Sequence, residues 1–330
     1  MATLDATNLT LMDWAKRQDP DGNIDDIVEL LSEDNLILED AVFLEGNLPT
    51  GHRSTVRTGL PSVTWRLLNY GVQPSKSTTA QVTDAAGMLE AYSEVDADLI
   101  NLNGNKASFR LSEDRAFVQA MSQEMANTLF YGNTGTDPEK FMGLAPRFNS
   151  LTAENGDNII DAGGTGADNC SIWLMVWGAN TCHMFFPKGS NAGLQWRDLG
   201  EETLKDANGG LYQGYRSWYQ WKAGLVVRDW RYIVRIANID VSDLAIDKSG
   251  ASANLVDLMV RALEQVRNLT GGTPVFYCNR TISSMLRRQI TNQTNVNLVF
   301  DNVGGKHVMS FDGVPVRRVD ALLNTEAQVA

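Results

Sequence analysis

The clearest periodic stretch runs from Ser112 to Tyr131. Phe117, Met121, Met125 and Leu129 recur every four residues with Ala116 and Ala120 beside them, so one face of a helix is apolar. Ser112 reads as the N-cap, Glu113 and Asp114 suit the positive end of the helix dipole, and Gly132 ends the helix. Nearer the start, Ile24, Ile27, Val28 and Leu31 fall at helical spacing after the Asp21-Gly22 turn, with acids between them. Leu255, Leu258, Met259, Ala262, Leu263 and Val266 predict another helix that stops at Gly271-Gly272, and Asn279 can cap one running to about Ile290. Ile172 to Trp177 is an apolar run of the kind found in central strands. Leu225 to Ile239 is strand-like with Arg228, Arg231 and Arg235 interleaved, and Pro274 to Cys278 is a short buried strand. His307 to Leu323 reads as a hairpin around Asp312-Gly313.

One stretch has strand character and no core. Thr55, Val56, Thr58, Val63, Thr64, Trp65 and Tyr70 lean towards β structure within Gly46 to Gly87. Gly51, Gly59-Leu60-Pro61, Gly71 and Pro74 break the run repeatedly, and the return limb, Ser77 to Thr83, is polar. A two-stranded excursion is marginal in water by itself. It needs a surface to lie on, and in an oligomer that surface can be the next subunit.

Charge sharpens this. The chain of 330 residues has a net charge of -12, and Met1 to Glu45 holds twelve acids, Asp25, Asp26, Glu29 and Glu33 among them, against Lys16 and Arg17. Gly46 to Thr83 carries Arg53, Arg57, Arg66 and Lys76 and no acid. An acidic arm and a basic excursion are unlike patches, the kind that make head-to-tail contacts between copies. An acidic balance disfavours binding to nucleic acid through its phosphates.

Catalytic and metal motifs are missing from the sequence. Gly163-Gly164-Thr165-Gly166 lacks the Lys-Ser/Thr ending of a phosphate loop. His52, His183 and His307 show no paired metal spacing, and Cys182 and His183 are adjacent, so on a strand they face opposite ways. There is no nucleophile elbow. Cys170, Cys182 and Cys278 read as buried small hydrophobes. Six of the eight tryptophans fall between Trp173 and Trp230, which reads as core and interface, with a carbohydrate-binding platform as the alternative. No run approaches the roughly 20 apolar residues of a membrane span, and the first ten residues lack the pattern of a signal peptide.

Several stretches resemble the major capsid proteins of short-tailed bacteriophages. They are Glu45 to Pro61 (EGNLPTGHRSTVRTGLP) with Trp65-Arg66, Tyr70 to Thr79 (YGVQPSKSTT), Leu111 to Arg115 (LSEDR), Thr128 to Gly132 (TLFYG), Val275 to Thr281 (VFYCNRT) and Phe311 to Arg317 (FDGVPVR). The resemblance implies an α+β, Hong Kong 97-like capsid fold. In it, 1–45 is an N-terminal arm, 46–90 an extended loop, 91–170 a peripheral domain with spine helix 112–131, 171–309 mainly an axial domain, and 310–330 the return to the peripheral domain. It implies a shell of hexamers and pentamers around double-stranded DNA, with no enzymatic activity and no cofactor. Scaffolding, portal and decoration proteins are the expected partners, and the virion, with the host cytoplasm during assembly, the expected location. The expected subunit contacts are Arg53, Arg57, Trp65, Arg66 and Lys76 of the loop, with Asp25, Asp26, Glu29 and Glu33 of the arm as acidic partners. A cargo compartment of the encapsulin type is the alternative within the same fold.

Overall fold

The structure is a computed structural model, and it describes residues 35–101, 106–206, 208–244, 253–291, 298–303 and 306–330, together with 9, 13 and 33. The predicted helix at Ile24 to Leu31 lies outside the described residues. Helix α1 (Ile37–Asp40) and strand β1 (Phe43–Glu45) lead into the hairpin β2 (Gly51–Gly59) and β3 (Thr78–Ala85). Strand β4 (Gly87–Asp96) and the turn of helix α2 (Ala97–Asn101) precede the long helix α3 (Lys106–Tyr131). Then come β5 (Ile159–Asp161), β6 (Asn169–Trp177), β7 (Cys182–Phe186), β8 (Leu194–Lys205), β9 (Leu211–Val227) and β10 (Ile233–Asp240). Helix α4 (Leu255–Gln265), β11 (Thr273–Cys278), α5 (Arg280–Thr291), β12 (Leu298–Val303), β13 (Lys306–Phe311) and β14 (Val314–Arg318) complete the order.

Twelve strands share one sheet whose main path is β12-β13-β14-β11-β6-β7-β9-β4, with β1, β5, β8 and β10 attached to its members. Strand β6 is buried along its whole length. Its odd positions, Trp173, Met175 and Trp177, pack with Met125, Leu129 and Phe130 of α3. Its even positions, Ile172, Leu174 and Val176, pack with Leu255, Met259 and Ala262 of α4 and Leu286 of α5. A strand covered by helices on both faces must be apolar at every position, which is why it reads as a run and not as an alternation.

The spine helix starts earlier than its sequence implies. Ser112 is an interior residue of α3, not a cap. Phe109, 1% exposed, packs with Val95, Leu99 and Ile100 in a separate small core, and that contact carries the helix back past Ser112. The expected apolar stripe is present, with Met121, Met125 and Leu129 buried and Phe117 stacked on Tyr219 at 6.4 Å. Leu225 to Ile239 is two strands, because Asp229 accepts from the Arg231 amide and turns the chain between them. The hairpin at Asp312-Gly313 has φ of 48° and 79° at those residues, as its tight turn requires. Strands β4, β8 and the first part of β9 were not anticipated, although Tyr215, Ser217, Tyr219 and Trp221 alternate in the sequence; β4 and β8 pair on either side of β9.

Candidate assembly surface

Strands β2 and β3 form a separate two-stranded sheet, paired from Gly51↔Ala85 to Gly59↔Thr78 and to no other strand. Beyond them, residues 60–77 carry no regular structure, so Val63, Thr64, Trp65 and Tyr70 are not in strands despite their β character. Tight turns and prolines at Pro61 and Pro74 deny them a pairing partner. Leu60, Val63, Trp65, Leu67, Leu68, Tyr70 and Val72 are all exposed, Trp65 at 104%. Scattered exposed apolar residues are ordinary; seven on one projecting segment mark a surface that something covers.

Arg53, Arg57, Arg66 and Lys76 are exposed on this hairpin. The Arg53 side chain donates to the Thr83 hydroxyl at 3.3 Å. None of the four pairs with an acid among the described residues. Between the hairpin and the body lies a cleft of about 740 Å³, where Arg53 and Arg57 face Arg228, Arg231, Glu154 and Asp229. Arg231 is already held by Asp229 at 2.7 Å. Of the expected acidic partners, Asp25, Asp26 and Glu29 lie outside the described residues. Glu33 is exposed, and its carbonyl accepts from the Gln119 amide at 3.4 Å, beside α3.

The root of the hairpin is built of charged and aromatic groups. Arg147 reaches Asp84 of β3 at 2.7 Å and also donates to the carbonyls of Met142 and Leu225. His52 of β2 meets His183 of β7 edge to face, ring centroids 5.6 Å apart, with Phe185 beside them and the Arg228 guanidinium 3.5 Å from the His52 ring. Burial, Arg228 and then His52 push the His183 imidazole down to about 4. Burial and Arg228 lower His52 as well, against a weaker pull from Asp84.

A projecting hairpin with an exposed apolar tip, beside a body whose long helix lies along the sheet, is a shape with known relatives. The family model of the major capsid protein GP7 matches residues 19–330. The chain belongs to the major capsid protein GP7 family. The solved structure of bacteriophage Epsilon15 is similar at 41% identity and a TM-score of 0.78, over 100% of this chain and 99% of that one. The bacteriophage JBD30 capsid matches at 10% identity and a TM-score of 0.48, over 88% and 91% of the two chains. The holo-SrpI encapsulin complex from Synechococcus elongatus PCC 7942 matches at 10% and 0.43, over 70% and 96%. No curated protein matches. The fold is therefore the Hong Kong 97-like capsid fold, and the function is that of a phage major capsid protein.

Sequence reasoning placed the basic loop but missed what anchors this capsid protein's hairpin. His52 and His183 lie 131 positions apart in the chain, and nothing in their local patterns links them. The one available signal was the alternation of β7, which sends Cys182 into the core beneath α3 and turns His183 towards His52. The sequence also missed the buried pair Arg235–Glu326, 2.8 Å apart, which ties the C-terminal tail to β10. Of the tryptophans, Trp173 and Trp177 are wholly buried, while Trp65 and Trp196 are exposed. Among the described residues no three His, Cys, Asp or Glu side chains converge as metal ligands.

Proposed function

We propose that this subunit forms pentamers and hexamers of an icosahedral shell by laying its hairpin tip on an adjacent copy. The supporting observation is the exposed apolar row from Leu60 to Val72. Covering such side chains contributes roughly 1.5–3 kcal/mol each before the costs of association. Arg53, Arg57, Arg66 and Lys76 then meet acids of the neighbour, Asp25, Asp26, Glu29 and Glu33 being the candidates. These charges set register more than affinity.

In this reading 1–45 is the arm, 46–90 the extended loop, 91–170 the peripheral domain, 171–309 mainly the axial domain and 310–330 the return. Strands β8 and the first part of β9 side with the peripheral domain, since β4 pairs directly with β9 from Gly87↔Ala223 to Asp96↔Gly214 and β8 pairs with the same stretch of β9. The shell encloses double-stranded DNA without specific contacts, is built in the host cytoplasm with scaffolding and portal proteins, can carry decoration proteins, and performs no catalysis. No helix among the described residues is long and apolar enough to cross a membrane.

Negative-stain electron microscopy of the chain, alone and with its scaffolding partner, tests the reading. Wild type gives closed shells of uniform diameter. Trp65→Ala folds normally and assembles poorly, and Arg57→Glu with Arg66→Glu blocks assembly at low salt. Normal shells from both variants at low and high salt would remove the hairpin from the interface.

A further inference from the structure

Among the described residues the hairpin shares no strand pairing with the main sheet, so its attitude to the body rests on the contacts at its root. Those contacts put an unusual set of groups together. His52 is 6% exposed and His183 is 1% exposed. The charged groups acting on the two rings are Arg228, which follows β9, and Asp84 on β3, and Asp84 is itself paired with Arg147 from the segment after α3; the backbone of Gly178 also meets the His183 ring. Asp84 is the acid that acts on His52, and it is already held by a guanidinium that cannot lose its charge. The ring of Phe185 closes the side towards β7. The His52 Nδ1, Ser54 hydroxyl, Asp84 Oδ2, Arg147 Nε and Arg228 Nε are buried without a protein partner, so the joint is under-satisfied for its burial.

We propose that the His52–His183 pair is a proton-operated latch at the hairpin root, closed when both rings are neutral and opened when protonation adds positive charge beside Arg228. Neutral imidazoles can pack edge to face. Two imidazolium rings at this spacing repel each other and Arg228, and Asp84, the acid beside His52, is already committed to Arg147. The latch lies within one subunit, so it stands whether or not the tip rests on a neighbour.

The sign follows from linkage. A histidine whose docked pKa is depressed favours the docked hairpin while neutral, and that preference is lost as pH falls from the free value towards the docked one. For His183 the interval runs from 6.5 down to about 4. Arg228 stays beside His183 when the hairpin leaves, so the docking equilibrium weakens by at most about 20-fold between pH 7 and pH 5 through this residue. At pH 5 ordinary carboxylates are still mostly ionised, so the interval isolates the histidines.

Hydrogen–deuterium exchange on the unassembled full-length subunit reads this directly, with rates corrected for intrinsic exchange at each pH. Protection of peptides spanning 46–58 and 78–88 should fall severalfold, by at most about 20-fold, from pH 7 to pH 5, while the β6 peptide keeps its protection. In His52→Gln with His183→Gln the fall should be lost. Unchanged root protection in the wild type overturns the latch, as does an equal fall in the variant. If the variant does not fold, the histidine ring-proton titration of the wild type decides: His183 titrating near 4 supports the latch, and a value of 6 or above overturns it.

Discussion

Replacing Glu326 with Ala tests how the C-terminal tail is fastened to the body. Glu326 is 6% exposed. Its carboxylate accepts from Arg235 at 2.8 Å, from the Tyr131 hydroxyl at 2.5 Å and from the Ser171 hydroxyl. Arg235 is 4% exposed, lies 5.1 Å over the Trp173 ring, and has the Phe148 carbonyl and Ser171 hydroxyl as its other acceptors. Neither of those is charged. Losing an ordinary hydrogen bond costs about 1 kcal/mol. Stranding a buried guanidinium costs about 3–5 kcal/mol. For a chain of 330 residues that larger loss lowers the melting temperature by about 4–7 °C. Differential scanning calorimetry of the unassembled subunit measures it. The double variant Glu326→Gln with Arg235→Met removes both charges and should recover most of the loss. A single-variant drop below about 1 °C would refute the reasoning, because it would mean that Arg235 needs no carboxylate.

Two further outcomes are expected. Burial pushes the thiols of Cys182 and Cys278 up to about 12, and raises Cys170 well above its ordinary value. At pH 8 a disulfide-exchange reagent should therefore label all three only after unfolding, and rapid labelling of the native subunit would contradict this. Gly224 lies against the Phe185 ring, and a methyl there would come within 2.9 Å of the Ala85 carbonyl. Gly224→Ala should cost about 1–3 kcal/mol in urea unfolding, and an unchanged midpoint would show that the hairpin root yields.

What could be read from the sequence follows from how far each determinant reaches along the chain. The α3 stripe and the β6 run are written in consecutive residues, so both were visible. The start of α3 was not, because Phe109 is held by Val95, Leu99 and Ile100, which lie outside the helix. The basic composition of the hairpin was plain from Arg53 to Lys76, and its family motifs placed it. Its root was hidden, since Arg147–Asp84 and His52–His183 join residues 63 and 131 positions apart. Arg235 was visible only as a charge within a strand-like run; its partner lies in a tail with no periodic pattern.

The distribution of satisfied charges carries the remaining argument. On the body, Arg110, Arg147, Arg216, Arg235, Arg280 and Arg317 each hold a carboxylate within the chain. On the hairpin, Arg53, Arg57, Arg66 and Lys76 hold none among the described residues, and the large apolar side chains between them are bare. A subunit built only to be stable by itself gains nothing from that asymmetry, since exposed apolar side chains at a projecting tip invite association. The asymmetry makes sense when folding and assembly are separate steps. In the proposed assembly the contacts of the hairpin are made with a second copy. A head-to-tail contact of this kind closes into a ring when the rotation between copies allows it. The bare apolar tip and the four cations without an acid among the described residues are the groups that the proposed assembly assigns to a second copy.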